Sequence, residues 1–221
     1  MSFITKVKND FTLISVLLIP VAVAINFVGG QLAMALKLPI YLDSIGTMLV
    51  GLIAGPWVGA ATGLLTSVMN GILAPTYIGF APISILIGIT AGLLSKYKMM
   101  SNPIKIVVSI IIMLLVVTLP QVPIIIYGYN GATGTGSAAV TAAFMKAGDP
   151  LWIAVWKSTI LSEFIDKPIS LMVAFLTVLS MASRYLSKFK YGEQYMRKNK
   201  IRIISQEKFR KNKKTNIDEI A

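Results

Sequence analysis

Six long apolar segments constrain this chain more than any other feature. They run roughly over Phe11–Leu36, Ile40–Ala54, Trp57–Leu73, Phe80–Tyr97, Pro103–Tyr127 and Leu151–Tyr185. Most of them approach the roughly 20 residues that a helix needs to cross the hydrocarbon core of a bilayer. Only 14% of the 221 residues are charged, whereas a typical soluble domain has about 25%. The sequence therefore predicts an all-α membrane protein, a bundle of six transmembrane helices.

The basic residues predict the orientation of this bundle. Twelve of the 21 Lys and Arg residues lie between Arg184 and Lys214, and others precede the first segment or separate the fourth from the fifth. Because positive loops stay in the cytoplasm, we expect both termini there. We assign residues 1–185 to the bundle and residues 186–221 to a basic cytoplasmic tail, which can touch anionic lipid headgroups. No folded module surrounds these charges, so nucleic-acid binding is not expected.

Glycine spacing predicts close contact between helices. Gly51, Gly55, Gly59 and Gly63 fall four residues apart, and Gly88 and Gly92 repeat the spacing. Small residues at this interval let membrane helices approach closely. The dipeptide Gly55-Pro56 predicts a tight helical hairpin, because proline cannot continue the preceding helix.

A polar stripe marks the sixth segment. Thr159, Glu163, Asp166 and Ser170 share one helical face, and Lys167 follows Glu163 at the spacing that favours an ion pair. Charges at membrane depth face the bundle interior or a wet cavity. Two interpretations stay open: the stripe is the wall of a ligand pocket, or the Glu163–Lys167 pair only locks the helix to a neighbour.

Other candidate binding residues lie near the outer ends of the segments. They are Tyr41, Asp43, Asn70, Tyr77, Gln121, Tyr127, Trp152 and Trp156. The amides could bind a ligand or join helices. The aromatic residues could stack on a flat heteroaromatic ligand or form the usual interfacial belt. The long segment Gly128–Asp149, rich in small residues, is either a lid or a slack loop, and Ala138–Ala147 can form a helix.

Several kinds of chemistry find no support in the sequence. The chain contains neither cysteine nor histidine, which removes disulfides and the commonest general base and metal ligand. It lacks a phosphate-binding Walker loop and a Gly-x-Ser-x-Gly elbow. Glu163 with Asp166 could transfer protons, but no nucleophile or metal set accompanies them. We therefore expect no enzyme activity, no cofactor and no metal site.

Three stretches resemble a known family. Residues 24–31 (AINFVGGQ), 42–47 (LDSIGT) and 51–60 (GLIAGPWVGA) are similar to substrate-binding S components of energy-coupling factor transporters, most clearly over about Ala24–Gly92. The resemblance implies a multi-pass protein of the bacterial cytoplasmic membrane whose outer side encloses one vitamin or similar micronutrient. Pyridoxine-like compounds, riboflavin, thiamine and cobalamin all stay open. It also implies a membrane-embedded coupling subunit and two cytosolic ATPases as partners.

The same resemblance assigns residues to two roles. The pocket would be shaped by Tyr41 and Asp43, by Tyr77, by Gln121 and Tyr127, and by residues from Trp152 to Asp166. The Ala-x-x-x-Ala motif by which the first helix often docks on the coupling subunit is missing here. The nearest small-residue spacings, Ala22 to Asn26 and Gly29 to Ala33, are the candidates for that contact.

Two other functions stay open at this point. The first is a self-contained secondary transporter of a small polar nutrient, although six helices are few and no inverted repeat is evident. The second is a membrane enzyme that uses Glu163 and Asp166. Uptake by the pure protein would support the first, and turnover of a nutrient or lipid would support the second.

Overall fold

The computed structural model describes residue 7 and residues 10–196, and this part of the chain is helical without strands. Lys6, Lys8 and residues 197–221 of the predicted tail lie outside the described residues. The helices are α1 (Leu13–Ala35), α2 (Ile45–Ala54), α3 (Pro56–Leu73), α4 (Thr76–Gly79), α5 (Ala81–Lys96), α6 (Pro103–Pro123), α7 (Gly136–Lys146), α8 (Leu151–Ser180) and α9 (Ser183–Leu186). A π-helical turn, Ile124–Gly128, extends α6. Each predicted apolar segment thus contains a helix.

The outer surface of the bundle is apolar. Two helices, Leu13–Ala35 and Pro103–Gly128, are long and apolar enough to cross a membrane, and α2 and α5 are shorter apolar helices. Leu13, Leu17 and Val21 of α1 are exposed, as are many similar side chains of α6 and α8. Lipid can cover such a surface, whereas water would not stabilise it. The number of spans and the side on which the termini lie remain predictions.

Helix α2 is the centre of the bundle. Residues 46–54 are all buried, and the helix contacts α1, α3, α5 and α8. Its 10 residues rise only about 15 Å, about half of a bilayer's hydrocarbon thickness. The loop before it, residues 36–44, therefore folds into the bundle. This placement brings Tyr41 and Asp43 toward the polar face of α8.

The predicted hairpin and the predicted glycine contacts are both present. Gly55 has a φ of 112° between α2 and α3, a conformation that glycine adopts readily, and Pro56 begins α3. Where α3 crosses α5, a methyl group on Gly88 would collide with the backbone of Gly59. The two backbones are in direct contact there, as small residues in membrane helices allow.

The predicted docking residues of α1 face the bundle. Ala22, Asn26 and Ala33 are buried, and the backbone of Leu42 abuts Gly29. Asn26 Nδ2 donates hydrogen bonds to Thr47 and Thr66 at 2.8 and 2.9 Å, and its Oδ1 accepts from the amide of Gly46. Because this bundle already occupies that face, a partner could reach it only if the helices separated. The docking role stays a prediction.

Packing continues beyond residue 185, where the bundle was predicted to end. Leu186, Phe189 and Tyr195 are buried in the same apolar core as α2. The amide of Tyr191 donates to the carbonyl of Ile53 at 3.0 Å, and the Tyr195 hydroxyl lies 2.8 Å from the Ser95 hydroxyl. We call residues 183–196 the C-terminal strap. It covers the end of the bundle at which α2 turns into α3.

Candidate functional site

A narrow, partly open cavity of about 50 Å³ lies beside the glycine contact of α3 and α5. Its wall comes from the loop before α2, from α4 to α6, from the segment before α7 and from α8. The lining residues are Tyr41, Asp43, Thr76, Tyr77, Phe80, Ile83, Ser84, Ile87, Val117, Gln121, Thr133, Thr135, Glu163 and Lys167. The wall thus joins distant parts of the chain and mixes charged, polar and aromatic groups.

A buried ion cluster forms one side of this cavity. Lys167 Nζ lies 2.7 Å from Asp166 Oδ2 and 3.1 Å from Glu163 Oε2. All three side chains are buried near the middle of α8. Charges in such a position are stable only when they are paired and hydrogen-bonded. The predicted Glu163–Lys167 contact is present, and Asp166 adds a second carboxylate to it.

Asp166 also fixes the loop that carries Tyr41. Its Oδ1 accepts hydrogen bonds from the amides of Tyr41 and Leu42 at 3.0 and 2.8 Å. Leu42 has a φ of 52°, which leucine adopts rarely and only where its surroundings hold it. The carboxylate of Asp166 lies behind the wall, where it positions the loop and the Lys167 ammonium.

A chain of hydrogen bonds joins several lining residues of the cavity. Gln121 Nε2 donates to Tyr41 Oη at 3.1 Å, and Tyr41 Oη lies 2.8 Å from Ser137 Oγ. The chain continues from Ser137 through Thr135 to Thr133, with each step at 2.8 Å. It therefore links α6, the loop before α2 and the segment before α7.

Aromatic residues also line the cavity. They are Tyr77 and Phe80, and Phe80 stacks on Tyr129 with ring centroids 5.5 Å apart. The hydroxyl of Tyr129 donates to the carbonyl of Thr76 at 2.9 Å. These contacts fix the aromatic part of the wall.

Asp43 is the charged lining residue outside the helices. It lies half-buried in the loop between α1 and α2, and it forms no ion pair among the described residues. Burial raises the pKa of Asp43 to about 6, although the nearby Lys167 ammonium opposes this rise. The group is therefore mostly ionised at pH 7.

The structure brings six of the predicted binding residues together. Tyr41, Asp43, Tyr77, Gln121, Glu163 and Lys167 line the cavity, and Asp166 lies directly behind them. Asn70 is buried outside the lining, and neither atom of its amide has a hydrogen-bond partner among the described residues. The role of these predicted residues in binding stays a prediction.

Three predicted aromatic residues lie elsewhere. Tyr127 is 81% exposed on a shallow surface beside Gly128. Trp152 and Trp156 pack edge to face against each other, 6.4 Å between centroids, and Trp156 contacts the small cluster around Val155. None of the three lines the cavity, so the interfacial belt stays the prediction for them.

Sequence reasoning did not single out the remaining lining residues. Thr133 and Thr135 belong to the small-residue segment that was predicted to be a lid or a slack loop, and Ser84 pairs with Ser67 across the α3–α5 contact at 2.8 Å. Ile83, Ile87 and Val117 carry no signal, because they look like any other apolar residue of a membrane helix. Among the described residues, no group of three or more acidic side chains is placed to hold a metal ion.

Apolar outer faces around a cavity with a few converging polar groups are typical of membrane proteins that bind a small solute. The family model for the ECF transporter, substrate-specific component, matches residues 14–178. The chain therefore belongs to the family of substrate-specific components of ECF transporters, which confirms the resemblance seen in the sequence. This is a family of membrane transport components and not of enzymes. The comparisons with curated proteins and with solved structures found no match.

Proposed function

We propose that this protein captures a vitamin-sized micronutrient from outside the cell in the cavity between α4, α5, α6 and α8. A membrane-embedded coupling subunit and two cytosolic ATPases would then drive its delivery inward. In this proposal the protein crosses the bacterial cytoplasmic membrane six times and keeps both termini inside. The observation that carries the proposal is the cavity wall itself, where the charged Glu163 and Lys167 and the aromatic Tyr77 line one partly enclosed space.

Two properties of this wall support a binding role over a purely structural one. The ion cluster borders the cavity and is not sealed among apolar side chains. Gln121 is buried and lines the cavity, yet its Oε1 has no hydrogen-bond partner among the described residues. Buried polar atoms usually have partners, so a ligand that donates to Gln121 would complete the site.

The sequence and the described structure also favour a subunit over a complete pump. The chain contains no Walker-type phosphate loop, so ATP hydrolysis would come from partner subunits. The family membership supports association with such a module. The identity of those partners is part of the proposal.

Thermal unfolding of the detergent-purified protein with a panel of B vitamins tests this function. A ligand that binds only the native state stabilises it by about 2.7 kcal/mol at a hundredfold excess over Kd. We expect one compound to raise Tm by several degrees, and we expect Glu163→Gln to reduce that rise. Glu193→Gln, which neutralises an exposed glutamate of the C-terminal strap, is the matched control and should leave the rise unchanged.

Two results would contradict the proposal. If no compound in the panel changes Tm, the cavity does not bind this class of ligand. If the pure protein in proteoliposomes accumulates a nutrient in response to a proton gradient without ATPases, the secondary-transporter alternative is correct.

A further inference from the structure

The charged groups of the cavity are predominantly acidic. Asp43 and Glu163 line it, Asp166 lies behind it, and Lys167 is the basic residue among them. The ammonium of Lys167 already contacts two carboxylates, at 2.7 and 3.1 Å. Its charge is thus balanced within α8, and Asp43 remains without an ion pair among the described residues. With all four groups ionised, the cluster has an excess of negative charge.

Two hydrogen-bond acceptors of this wall, Gln121 Oε1 and the Asp43 carboxylate, are placed to meet a ligand. Gln121 uses its Nε2 group for Tyr41, while its Oε1 has no partner in the described part of the chain. A carboxylate such as that of Asp43 accepts hydrogen bonds and cannot donate when ionised. A ligand that completes this wall therefore needs to donate hydrogen bonds.

The aromatic side of the cavity fits the same ligand. Tyr77 and Phe80 present rings to the space that Asp43 and Glu163 border. The faces of aromatic rings attract cations, and this attraction strengthens where water is excluded. Aromatic rings and carboxylates in one lining would suit a flat, positively charged group.

We infer that the ligand is a nitrogen heterocycle that carries a positive charge or several N–H donors, and not a carboxylate or phosphate compound. The inference rests on the proposed function and narrows its substrate class. Asp43 would pair with the cationic or N–H group, and Gln121 Oε1 would accept a second hydrogen bond. Lys167 and Asp166 would hold the wall in place.

Pairs of ring-matched compounds provide the test. Isothermal titration of the detergent-purified protein would compare pyridoxamine with 4-pyridoxate, and the pyridinium cation 1-methylnicotinamide with nicotinate, with thiamine as a larger cation. We expect a cation to bind at least about tenfold more tightly than its matched anion, since a charge-assisted hydrogen bond contributes about 1.5–3 kcal/mol. Asp43→Asn should weaken the cation by a similar factor. Asp149→Asn, which removes a carboxylate that pairs with Lys157 away from the cavity, should not.

A second measurement does not depend on any variant. The quaternary pyridinium ion of 1-methylnicotinamide keeps its charge in acid, so a change in its affinity between pH 7.5 and pH 5 reports on the protein. Affinity should fall as Asp43 is protonated. The other ionisable groups that act on Asp43, sense its charge or line the same cavity are Glu163, Asp166 and Lys167 of α8 and Tyr77 of α4.

The outcomes separate the two proposals. Tighter binding of 4-pyridoxate or nicotinate than of the matched cation would overturn the inference while the proposed function stood. Equal affinity for a cation in the wild type and in Asp43→Asn, together with no change between pH 7.5 and pH 5, would also overturn it. Binding of none of these compounds, nor of any vitamin in the wider panel, would remove both proposals.

Discussion

The glycine contact of α3 with α5 and the cavity beside it are packed in opposite ways. At the contact, Gly59 and Gly88 bring two backbones together and leave no space for a methyl group. Around the cavity, the lining residue Gln121 has a buried Oε1 atom without a hydrogen-bond partner among the described residues, and the Asp43 carboxylate forms no ion pair there. The first region is complete without a ligand, whereas the second leaves polar groups that another molecule could satisfy. Four predictions test this difference.

Loss of the Lys167 ammonium should have the largest effect. Lys167→Met leaves Glu163 and Asp166 as two buried carboxylates without a counter-charge, and breaking a buried pair in this way costs about 3–5 kcal/mol. We expect Tm in detergent to fall by roughly ten degrees. Lys157→Met is the control, because the Lys157 side chain is 49% exposed in its pair with Asp149 and such a pair contributes less than about 1 kcal/mol. Similar melting of the two variants would show that the α8 cluster does not stabilise the fold.

Gly88→Ala should destabilise the glycine contact itself. The added methyl group meets the backbone of Gly59, which cannot move aside as a flexible side chain would. Overpacking of this kind costs about 1–3 kcal/mol. Gly128→Ala is the matched control, because nothing lies within 4 Å of its added methyl group. If both variants unfold at the wild-type temperature, the helices are less closely packed than described.

Asp43→Asn should stabilise the ligand-free protein above pH 6. A carboxyl whose pKa is raised on folding, here to about 6 from an ordinary value near 4, makes the folded state less stable once pH exceeds that pKa. The variant should therefore melt a few degrees above the wild type at pH 7.5, a gain of about 1 kcal/mol. The two proteins should melt alike at pH 4. A variant that is less stable at pH 7.5 would contradict the assigned direction of the pKa.

Tyr127→Ala should have the smallest effect. This side chain is 81% exposed, and surface substitutions usually change stability by no more than about 0.5 kcal/mol. Ligand affinity should also stay the same, whereas Tyr77→Ala should lower it because Tyr77 lines the cavity. A large loss of affinity in Tyr127→Ala would instead place the ligand nearer the sequence-predicted aromatic group.

Some parts of this structure could be predicted because they follow from local spacing. Glycines four residues apart predicted the close contact, and the spacing from Thr159 to Ser170 predicted one buried polar face. Local spacing cannot show which loop faces that stripe. Tyr41 and Asp166 are far apart in sequence, and their contact depends on the short α2, which draws the loop before it into the bundle.

Other residues were ambiguous because one sequence pattern fits two positions. Tyr77 and Tyr127 both lie near outer helix ends, yet one lines the cavity and the other faces outward. The C-terminal strap was obscured by its composition, because Lys188 and Lys190 flank the buried Phe189. In a basic segment, three apolar side chains at irregular spacing do not predict a core.

The C-terminal strap has a consequence for how the protein is made. A ribosome completes every apolar helix before it adds Phe189 and Tyr195, so the nascent chain can insert all of those helices while part of its core is still missing. Insertion and final packing are then separate stages, as they are for membrane helices in general. Tyr195 closes the assembly by filling the space beside Ser95 and Phe175. A polypeptide released before residue 186 would lack Leu186, Phe189 and Tyr195. The apolar core beside α2 would then be incomplete.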